Sequence, residues 1–365
     1  MTVKVAIVVP RYLPHLGGIE NHVAAVASRL QDMGHEVTIA TQLEGDRSLA
    51  RCERAPNGLF VRRFPSAAPL RGQGLSPLLW RWVKAGAGQA DIVHVHNFHA
   101  LTTLPNVAAA RTPFIFTPHY LGPGEGRVET ALHAAYSVAM RRALLHVSRV
   151  ICVTDSEAAA FAHHIGFAER CQVIPNGIDS AAIQAADPVT ATGRLLVMAG
   201  RLEEYKQPQL VLEALRYLSH EYQLAFVGAG PMEKVLRRRA NELGVAERVL
   251  FPGRLSPNEV YSWYRAAEVV LSLSRRECFG LTIAEGLAAG AAVVASDIGA
   301  HRDVISQAGP ASAVVVPTTA SPEDVAEAVR AARVDFATRT SSAMTTWEEV
   351  AEKTEQLYRS VLDQT

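Results

Sequence analysis

Arg275-Arg276-Glu277-Cys278-Phe279-Gly280-Leu281-Thr282-Ile283-Ala284-Glu285 places a carboxylate at each end of a glycine-bearing turn. The apolar run Val269 to Ser274 reads as a strand entering the turn, and Thr282 to Ala289 as a helix leaving it. Free backbone N–H groups near Gly280 and Leu281 then open toward an anion such as phosphate. Glu277 and Glu285 flank that position, suited to hydroxyls on either side of it. A diphosphate with hydroxyls on both sides is a nucleotide sugar, with ribose at one end and the transferred sugar at the other.

A second constellation, Gly200-Arg201-Leu202-Glu203-Glu204-Tyr205-Lys206, also lies between a strand and a helix, so Arg201 and Lys206 project from a carboxyl edge. Two cations there neutralise a diphosphate and stabilise a leaving group that gains charge as the glycosidic bond breaks. The competing reading pairs them with Glu203 or Glu204 as surface ion pairs. Gly17-Gly18-Ile19-Glu20 follows the first strand and opens a helix at Asn21, which lets backbone approach a phosphate, although glycine at such a turn is commonly only a turn. Neither first strand is followed by G-x-G-x-x-G, and Gly228-Ala229-Gly230-Pro231 lacks the third glycine, so a dinucleotide-dependent oxidoreductase is disfavoured.

His119 ends a strand in Thr117-Pro118-His119-Tyr120. It can meet a sugar hydroxyl or deliver its carbonyl to a reacting centre; a packed or surface histidine is the equal alternative. His94, His96 and His99 have metal-like spacing, yet His94 and His96 share one face of a buried strand with no carboxylate cluster near. With no D-x-D run either, metal-independent chemistry is expected.

The elements that must position these residues alternate in two series. Lys4 to Val9, Glu36 to Thr41, Leu59 to Phe64, Asp91 to His96, Phe114 to Pro118, Val150 to Thr154 and Gln172 to Pro175 read as the first set of strands, with a helix at Asn21 to Met33. Asp179 to Gly193 reads as a linker, after which Leu195 to Gly200, Gln223 to Gly228, Val249 to Gly253, Val269 to Ser274, Ala292 to Asp297 and Ala313 to Pro317 form a second set. A last helix, Met344 to Leu362, packs one face through Trp347, Leu357 and Tyr358. Apolar strands separated by helices imply parallel sheets covered on both faces, here two doubly wound α/β domains facing across a cleft.

The 365 residues suit two domains, and nearly half are apolar. No signal sequence or spanning segment is read, so the cytoplasm is expected. Four scattered cysteines indicate neither a disulfide framework nor a zinc site. The net charge is zero, but residues 1–180 carry 17 Lys and Arg against 13 Asp and Glu. Most of that excess lies between Arg47 and Lys84, where Arg47, Arg51, Arg54, Arg62, Arg63, Arg71, Arg81 and Lys84 face only Glu53. An anionic partner or a solvated arginine-rich surface explains it equally; no nucleic-acid partner is expected.

Taken together, Gly17-Gly18-Ile19-Glu20, Gly34-His35-Glu36-Val37, His119, Pro175-Asn176-Gly177-Ile178-Asp179, Gly200-Arg201-Leu202 with Lys206, Gly228 to Pro231, and Glu277-x-Phe279-Gly280 with Glu285 resemble the retaining glycosyltransferases of family four. The resemblance implies a GT-B fold: two facing Rossmann-like doubly wound α/β domains, an interdomain cleft and a C-terminal crossover helix. It makes residues 1–180 the acceptor-binding domain, with helix 342–364 packed back on it, and 190–341 the nucleotide-sugar donor-binding domain. It implies that Arg201 and Lys206 bind the donor diphosphate, Glu285 the ribose hydroxyls and Glu277 those of the transferred sugar. Gly17 and Gly18 approach the donor phosphates, His119 lies beside the anomeric carbon, and base recognition falls to backbone near Arg254 and Leu255. The donor set is completed by Gly200, Phe279, Gly280 and Leu281, and the acceptor set is Glu20, His96, Asn97, His119 and Tyr120. His119, Glu277, Arg201 and Lys206 are the expected catalytic group, with no metal and no cofactor. The implied mechanism is front-face attack, the leaving phosphate accepting the acceptor's proton. Where the family often has Gly-Gly-x-Pro-Glu, this chain reads Gly299-Ala300-His301-Arg302-Asp303, which bears on the sugar end of the donor pocket.

The expected reaction moves a hexose from a nucleotide sugar, a UDP-sugar favoured, to a hydroxyl of a small-molecule or lipid acceptor. Ser76 to Lys84 mixes Leu and Trp with cations and suits peripheral contact with the inner face of the cell membrane, or an ordinary amphipathic helix covering the sheet. A phosphorylase or sugar-phosphate synthase of the same fold is the near alternative. A non-catalytic nucleotide-sugar-binding subunit is the distant one.

Overall fold

The computed structural model describes residues 2–15, 17–43, 49–55, 58–70, 73–110, 113–124, 126–309, 313–332 and 344–364, with 67–70 and 73 described by backbone alone. In chain order the elements begin β1 (Lys4–Val8), α1 (Gly18–Asp32), β2 (Glu36–Leu43), β3 (Cys52–Arg54), β4 (Phe60–Pro65), β5 (Ala67–Leu70), β6 (Gln73–Leu75) and α2 (Pro77–Lys84). Next come β7 (Ile92–His96), α3 (Thr103–Ala109), β8 (Phe114–Thr117), α4 (Arg127–Ala143), β9 (Arg149–Cys152), α5 (Asp155–His164) and β10 (Cys171–Val173). They continue with α6 (Ser180–Ala185), β11 (Arg194–Ala199), α7 (Pro208–Ala214), β12 (Tyr222–Val227), α8 (Glu233–Glu242), β13 (Val249–Gly253), α9 (Pro257–Ala266) and β14 (Val269–Ser272). The chain ends with α10 (Leu281–Ala288), β15 (Ala292–Ser296), α11 (Gly299–Ala308), β16 (Ala313–Val316), α12 (Pro322–Ala331) and α13 (Trp347–Leu362).

Two compact units emerge, Met1–Gly177 with Trp347–Thr365, and Ile178–Thr346. The first holds a sheet in the order β10-β9-β8-β7-β1-β2-β4-β3, parallel except where β3 meets β4. Val, Ile and Phe are buried on both faces of its central strands, Val93 and Phe116 on one and Ile7, Ile92 and Ile115 on the other, as burial between two helical layers requires. The second holds an all-parallel sheet in the order β13-β12-β11-β14-β15-β16, packed against α7, α8 and α12 through Leu212, Leu236 and Val329. In each sheet the direction of winding reverses beside the first strand of the unit, between β1 and β7 and between β11 and β14. Ligands of doubly wound sheets bind beyond the carboxyl ends of strands at that reversal. Gly17, Asn97, Arg201, Lys206 and Glu277 follow those four strands, while His119 and Tyr120 follow β8, Arg254 and Leu255 follow β13, and Glu285 lies within α10.

The final helix closes the first unit. Arg29 on α1 donates to Glu348 at 2.7 Å, Tyr358 Oη lies 2.7 Å from His94 Nδ1, and the Trp347 ring meets the His22 ring edge-on at 5.7 Å. One expectation fails: within the supposed linker, Ser180–Ala185 forms α6, capped by Asp179 Oδ1 on the Ala182 N–H at 3.0 Å and packed against α9 and α10. Its Ala-rich sequence satisfies a helix without displaying a strong apolar stripe, which is why composition hid it.

Candidate active site

In the second unit, β11 is followed by Gly200, whose φ of 125° turns the chain sharply toward Arg201. A one-turn helix, Glu204–Lys206, then carries Lys206 inward. Its ammonium donates to Glu277 Oε1 at 2.6 Å, and Ser274 Oγ donates to the same oxygen at 2.9 Å. Glu277 Oε2 is left without a partner among the described residues. Burial alone would push the Glu277 carboxyl up, but the Lys206 ammonium and these two hydrogen bonds outweigh it and hold it below the usual carboxylate range. Burial likewise pulls Lys206 down, and the Glu277 charge more than reverses that. Both are therefore charged at neutral pH.

The rival surface-pair reading holds for one cation only. Arg201, about half exposed, pairs with Glu203 at 2.8 Å, whereas Lys206 turns away from both neighbouring glutamates to Glu277. The Arg275 N–H donates to Tyr205 O at 2.8 Å and ties the two loops together.

Gly280 caps α10 with φ 109°, a left-handed conformation that a side chain resists, so the Leu281 N–H begins an open helix N-terminus. Phe279 is 4% exposed, its side chain buried. His301, fully buried, backs Gly280 and donates from Nδ1 to Ser296 O at 2.9 Å. Glu285 lies one turn into α10, half-buried, and burial pushes its carboxyl up to about 7 against the pull of the Tyr264 hydroxyl. Exposed Arg254 and half-buried Leu255 follow β13 and precede the Ser256 capping box of α9. Gly228 serves packing: a Cβ there would overlap Gly200 O, so these two strand-end loops touch through bare backbone.

In the first unit, Gly17 is extended at the N-cap of α1 and Gly18 begins the helix with nothing near its missing Cβ. Glu20 is buried, folded over Gly17 and 3.6 Å from Arg11, so it shapes the turn from beneath. His96 ends β7, and His119 follows β8 with φ 46°, a left-handed backbone that costs a non-glycine residue free energy. Three hydrogen bonds hold that corner: Phe98 N–H to Pro118 O at 2.6 Å, Tyr120 N–H to Glu157 Oε1 at 2.5 Å, and His96 Nδ1 with His119 Nε2 at 3.2 Å. Asn97 spends its Oδ1 on the His99 N–H at 2.9 Å. Tyr120 is buried, its ring stacked on His99 and its hydroxyl 3.0 Å from His133 Nε2, so its side chain supports the loop.

The sequence reading missed His22. It lies one helical turn after Gly18, its ring 5.6 Å from His96 and 5.3 Å from His119, with Nδ1 bound to Asn176 Oδ1 at 2.7 Å. The i, i+4 spacing from Gly18 and the quoted Asn176 were the available signals. Ligand nitrogens of His22, His96 and His119 all lie within 4.8 Å of one another, so this trio, and not His94, His96 and His99, has metal-compatible spacing. His94 is engaged by Tyr358 and by Thr117 Oγ1 at 2.7 Å. Burial keeps all four cluster imidazoles neutral at pH 7, with His22 pulled down to about 4 and His94 to about 3.

The basic run before residue 85 is not one open patch. Arg63 is buried on Glu53 at 2.7 Å and on Leu13 O, Arg62 lies over Phe64 and Trp82, and Arg47 and Arg71 fall outside the described residues. In α2, Leu79 and Val83 face the core while Leu78 and Trp80 stay exposed. None of the helices among the described residues is long and apolar enough to cross a membrane.

The chain matches the family model Glycosyltransferase Family 4 over residues 16–182 and Glycosyl transferases group 1 over residues 180–339. It is 29% identical to the D-inositol 3-phosphate glycosyltransferase 1 of Catenulispora acidiphila, across 95% of this chain and 91% of that protein. Sucrose-phosphate synthase from Thermosynechococcus elongatus superposes with a TM-score of 0.80 at 19% identity, covering 99% of both chains. HepE of Anabaena, solved with UDP-glucose, superposes with a TM-score of 0.72 at 18% identity, covering 99% of this chain and 98% of that one. The two adjoining family matches, the doubly wound units and the shared GT-B fold agree: the chain belongs to glycosyltransferase family 4 and is a glycosyltransferase.

Proposed function

We propose that the protein transfers a hexose, with retention of anomeric configuration and without a metal, from a nucleoside-diphosphate sugar to a hydroxyl of a phosphorylated polyol of the inositol class. The observation that carries this reading is the Lys206–Glu277 pair beside the Gly280 helix start. One carboxylate oxygen is fixed by Lys206 and Ser274, and the other is free to accept from a sugar hydroxyl. Lys206, Arg201 and the Leu281 N–H would neutralise the diphosphate as it leaves, an interaction that strengthens as the glycosidic bond breaks. Glu285, further along the same helix, would take the ribose hydroxyls. Because the Glu277 carboxylate is held by a cation, it is a poor covalent nucleophile, and proton transfer from the acceptor to the departing phosphate suits the residues better.

Uridine is the favoured base, since HepE was solved with UDP-glucose on the same fold. The acceptor class follows the name of the Catenulispora relative. His119, His96 and His22, all neutral, would offer imidazole nitrogens to acceptor or sugar hydroxyls. A panel of UDP-, GDP- and ADP-hexoses with inositol and inositol phosphates, read by nucleoside diphosphate release and by NMR of the product anomer, tests the proposal. A product of inverted configuration, or no turnover with any phosphorylated or free polyol, refutes it.

A further inference from the structure

Three imidazoles from three separate elements meet inside the first unit: His22 from α1, His96 from the end of β7 and His119 from the corner after β8. They are 4%, 2% and 6% exposed, and one nitrogen of each lies within 4.8 Å of the other two. The proposed reaction asks each ring only for a hydrogen bond to a hydroxyl, which does not require three imidazoles to converge.

Their closest approach already has the dimensions of a metal site. Two nitrogens bound to one Zn2+ at about 2.0–2.1 Å and a tetrahedral angle stand about 3.3–3.4 Å apart. His96 Nδ1 and His119 Nε2 are 3.2 Å apart. The hydrogen between them would pass to the outer nitrogen of its own ring, so both lone pairs turn inward with no net loss of a proton. His22 completes the set after closing by at most about 1.5 Å, a torsional adjustment of one side chain.

The surroundings hold these rings as ligands are held. His22 donates from Nδ1 to Asn176 Oδ1 at 2.7 Å, which fixes its tautomer and leaves the Nε2 lone pair to offer; ligating histidines are ordinarily anchored through the other nitrogen in this way. Trp347 meets that ring edge-on, and His94 packs on His96 with ring centroids 4.1 Å apart. His94 itself is spent, one nitrogen on Tyr358 and the other on Thr117. Three imidazoles with no carboxylate in the set select Zn2+, Co2+, Ni2+ or Cu2+ over Mg2+ and Ca2+, and leave a fourth position to water.

From this we infer that His22, His96 and His119 form a site for one imidazole-preferring divalent ion of the Zn2+ class, and that filling it halts transfer by taking the lone pairs the substrate hydroxyls need. The site stands on the geometry of the trio; its effect on turnover rests on the proposed role of the same imidazoles. The ion is an inhibitor, so the reaction itself remains metal-independent.

Titration of the metal-free full-length protein with Co2+ tests the site. One equivalent should bind with the visible bands of four-coordinate cobalt, displaced by Zn2+ and not by Mg2+. His22→Gln and His96→Gln should each abolish the bands, and Asn176→Ala should weaken binding by about 10- to 100-fold. Cys52→Ser and His164→Gln, both at exposed positions, should bind as wild type does. Wild-type crystals soaked in Zn2+ decide without any variant, through an anomalous peak among the three rings. Turnover, read as nucleoside diphosphate released at buffered free Zn2+, should fall in proportion to the sites filled and return with EDTA. Cobalt bands that survive in both histidine variants, or a zinc peak at the surface only, overturn the site. Binding at the trio with turnover unchanged or raised overturns the inhibition. A protein that turns over no polyol refutes the proposed reaction instead, and the bands and the peak still decide the site.

Discussion

Replacing Lys206 by alanine probes whether Lys206 and Glu277 act as one unit. The ammonium and carboxylate are 2.6 Å apart, with side chains only 16% and 20% exposed, so solvent screens the pair weakly. At an effective dielectric constant near 20, such a contact carries a Coulomb attraction of about 6 kcal/mol before desolvation is subtracted. Breaking one side of a buried pair typically costs about 3–5 kcal/mol, because the remaining charge is stranded. For catalysis, loss of a preorganised cation at the departing phosphate removes about 3–4 kcal/mol, or about 10²- to 10³-fold in kcat. Glu277→Gln frees Lys206 from its anchor and should cost a similar factor. If the two work as a unit, the double variant loses little more than the worse single, whereas independent action would multiply the losses to about 10⁵-fold. Steady-state kcat and KM for the donor, measured as nucleoside diphosphate release for all four proteins, decide it. A multiplicative double variant, or a Lys206→Ala protein with higher KM and unchanged kcat, refutes the reasoning.

Three further outcomes follow from the geometry. Glu285 is raised to about 7, so below that pH the free protein holds it protonated and it cannot accept from two ribose hydroxyls. Nucleotide affinity should therefore weaken toward tenfold per pH unit below about 7, and Glu285→Gln should flatten the calorimetric profile; a flat wild-type profile removes the ribose role. Gly228→Ala drives a methyl into Gly200 O and should lower stability by more than about 3 kcal/mol in urea melts, whereas Gly18→Ala meets nothing and should leave melting intact while reducing turnover. If Gly18→Ala leaves turnover untouched as well, no phosphate approaches that helix start. Turnover should be indifferent to EDTA; a loss restored by added Zn2+ or Mn2+ would redirect attention to His22, His96 and His119.

Much of the framework was legible because central strands such as Ile92–His96 and Ala292–Ser296 are short β-branched or apolar runs bounded by turn residues. Their ends named the site loops, since a doubly wound sheet puts its ligand there. The short elements were not legible: Cys52–Arg54 and Gln73–Leu75 are too brief to show a period. What sequence could not supply was the partner of each polar group. His22 meets Asn176 across 154 positions, and Lys206 reaches Glu277 across 71, while nearer glutamates stood available to it. The Tyr120 backbone, next to the left-handed His119, likewise has a partner that the sequence did not point to. The Glu157 carboxylate pulls its N–H inward, and that is visible only once α5 is packed.

The last helix has a consequence for how the protein comes to exist. The second unit is inserted between Gly177 and Trp347 of the first, so a ribosome completes it before the closing piece of the first has been made. Domains fold as they emerge, and the second unit has its whole sheet in one uninterrupted stretch of chain. The first must wait with His22 and His94 lacking Trp347 and Tyr358, which are made only after the second unit is complete. A nascent chain can thus carry a finished second unit while the imidazole cluster of the first still lacks its cover. Completion of the first unit therefore waits until α13 has been made.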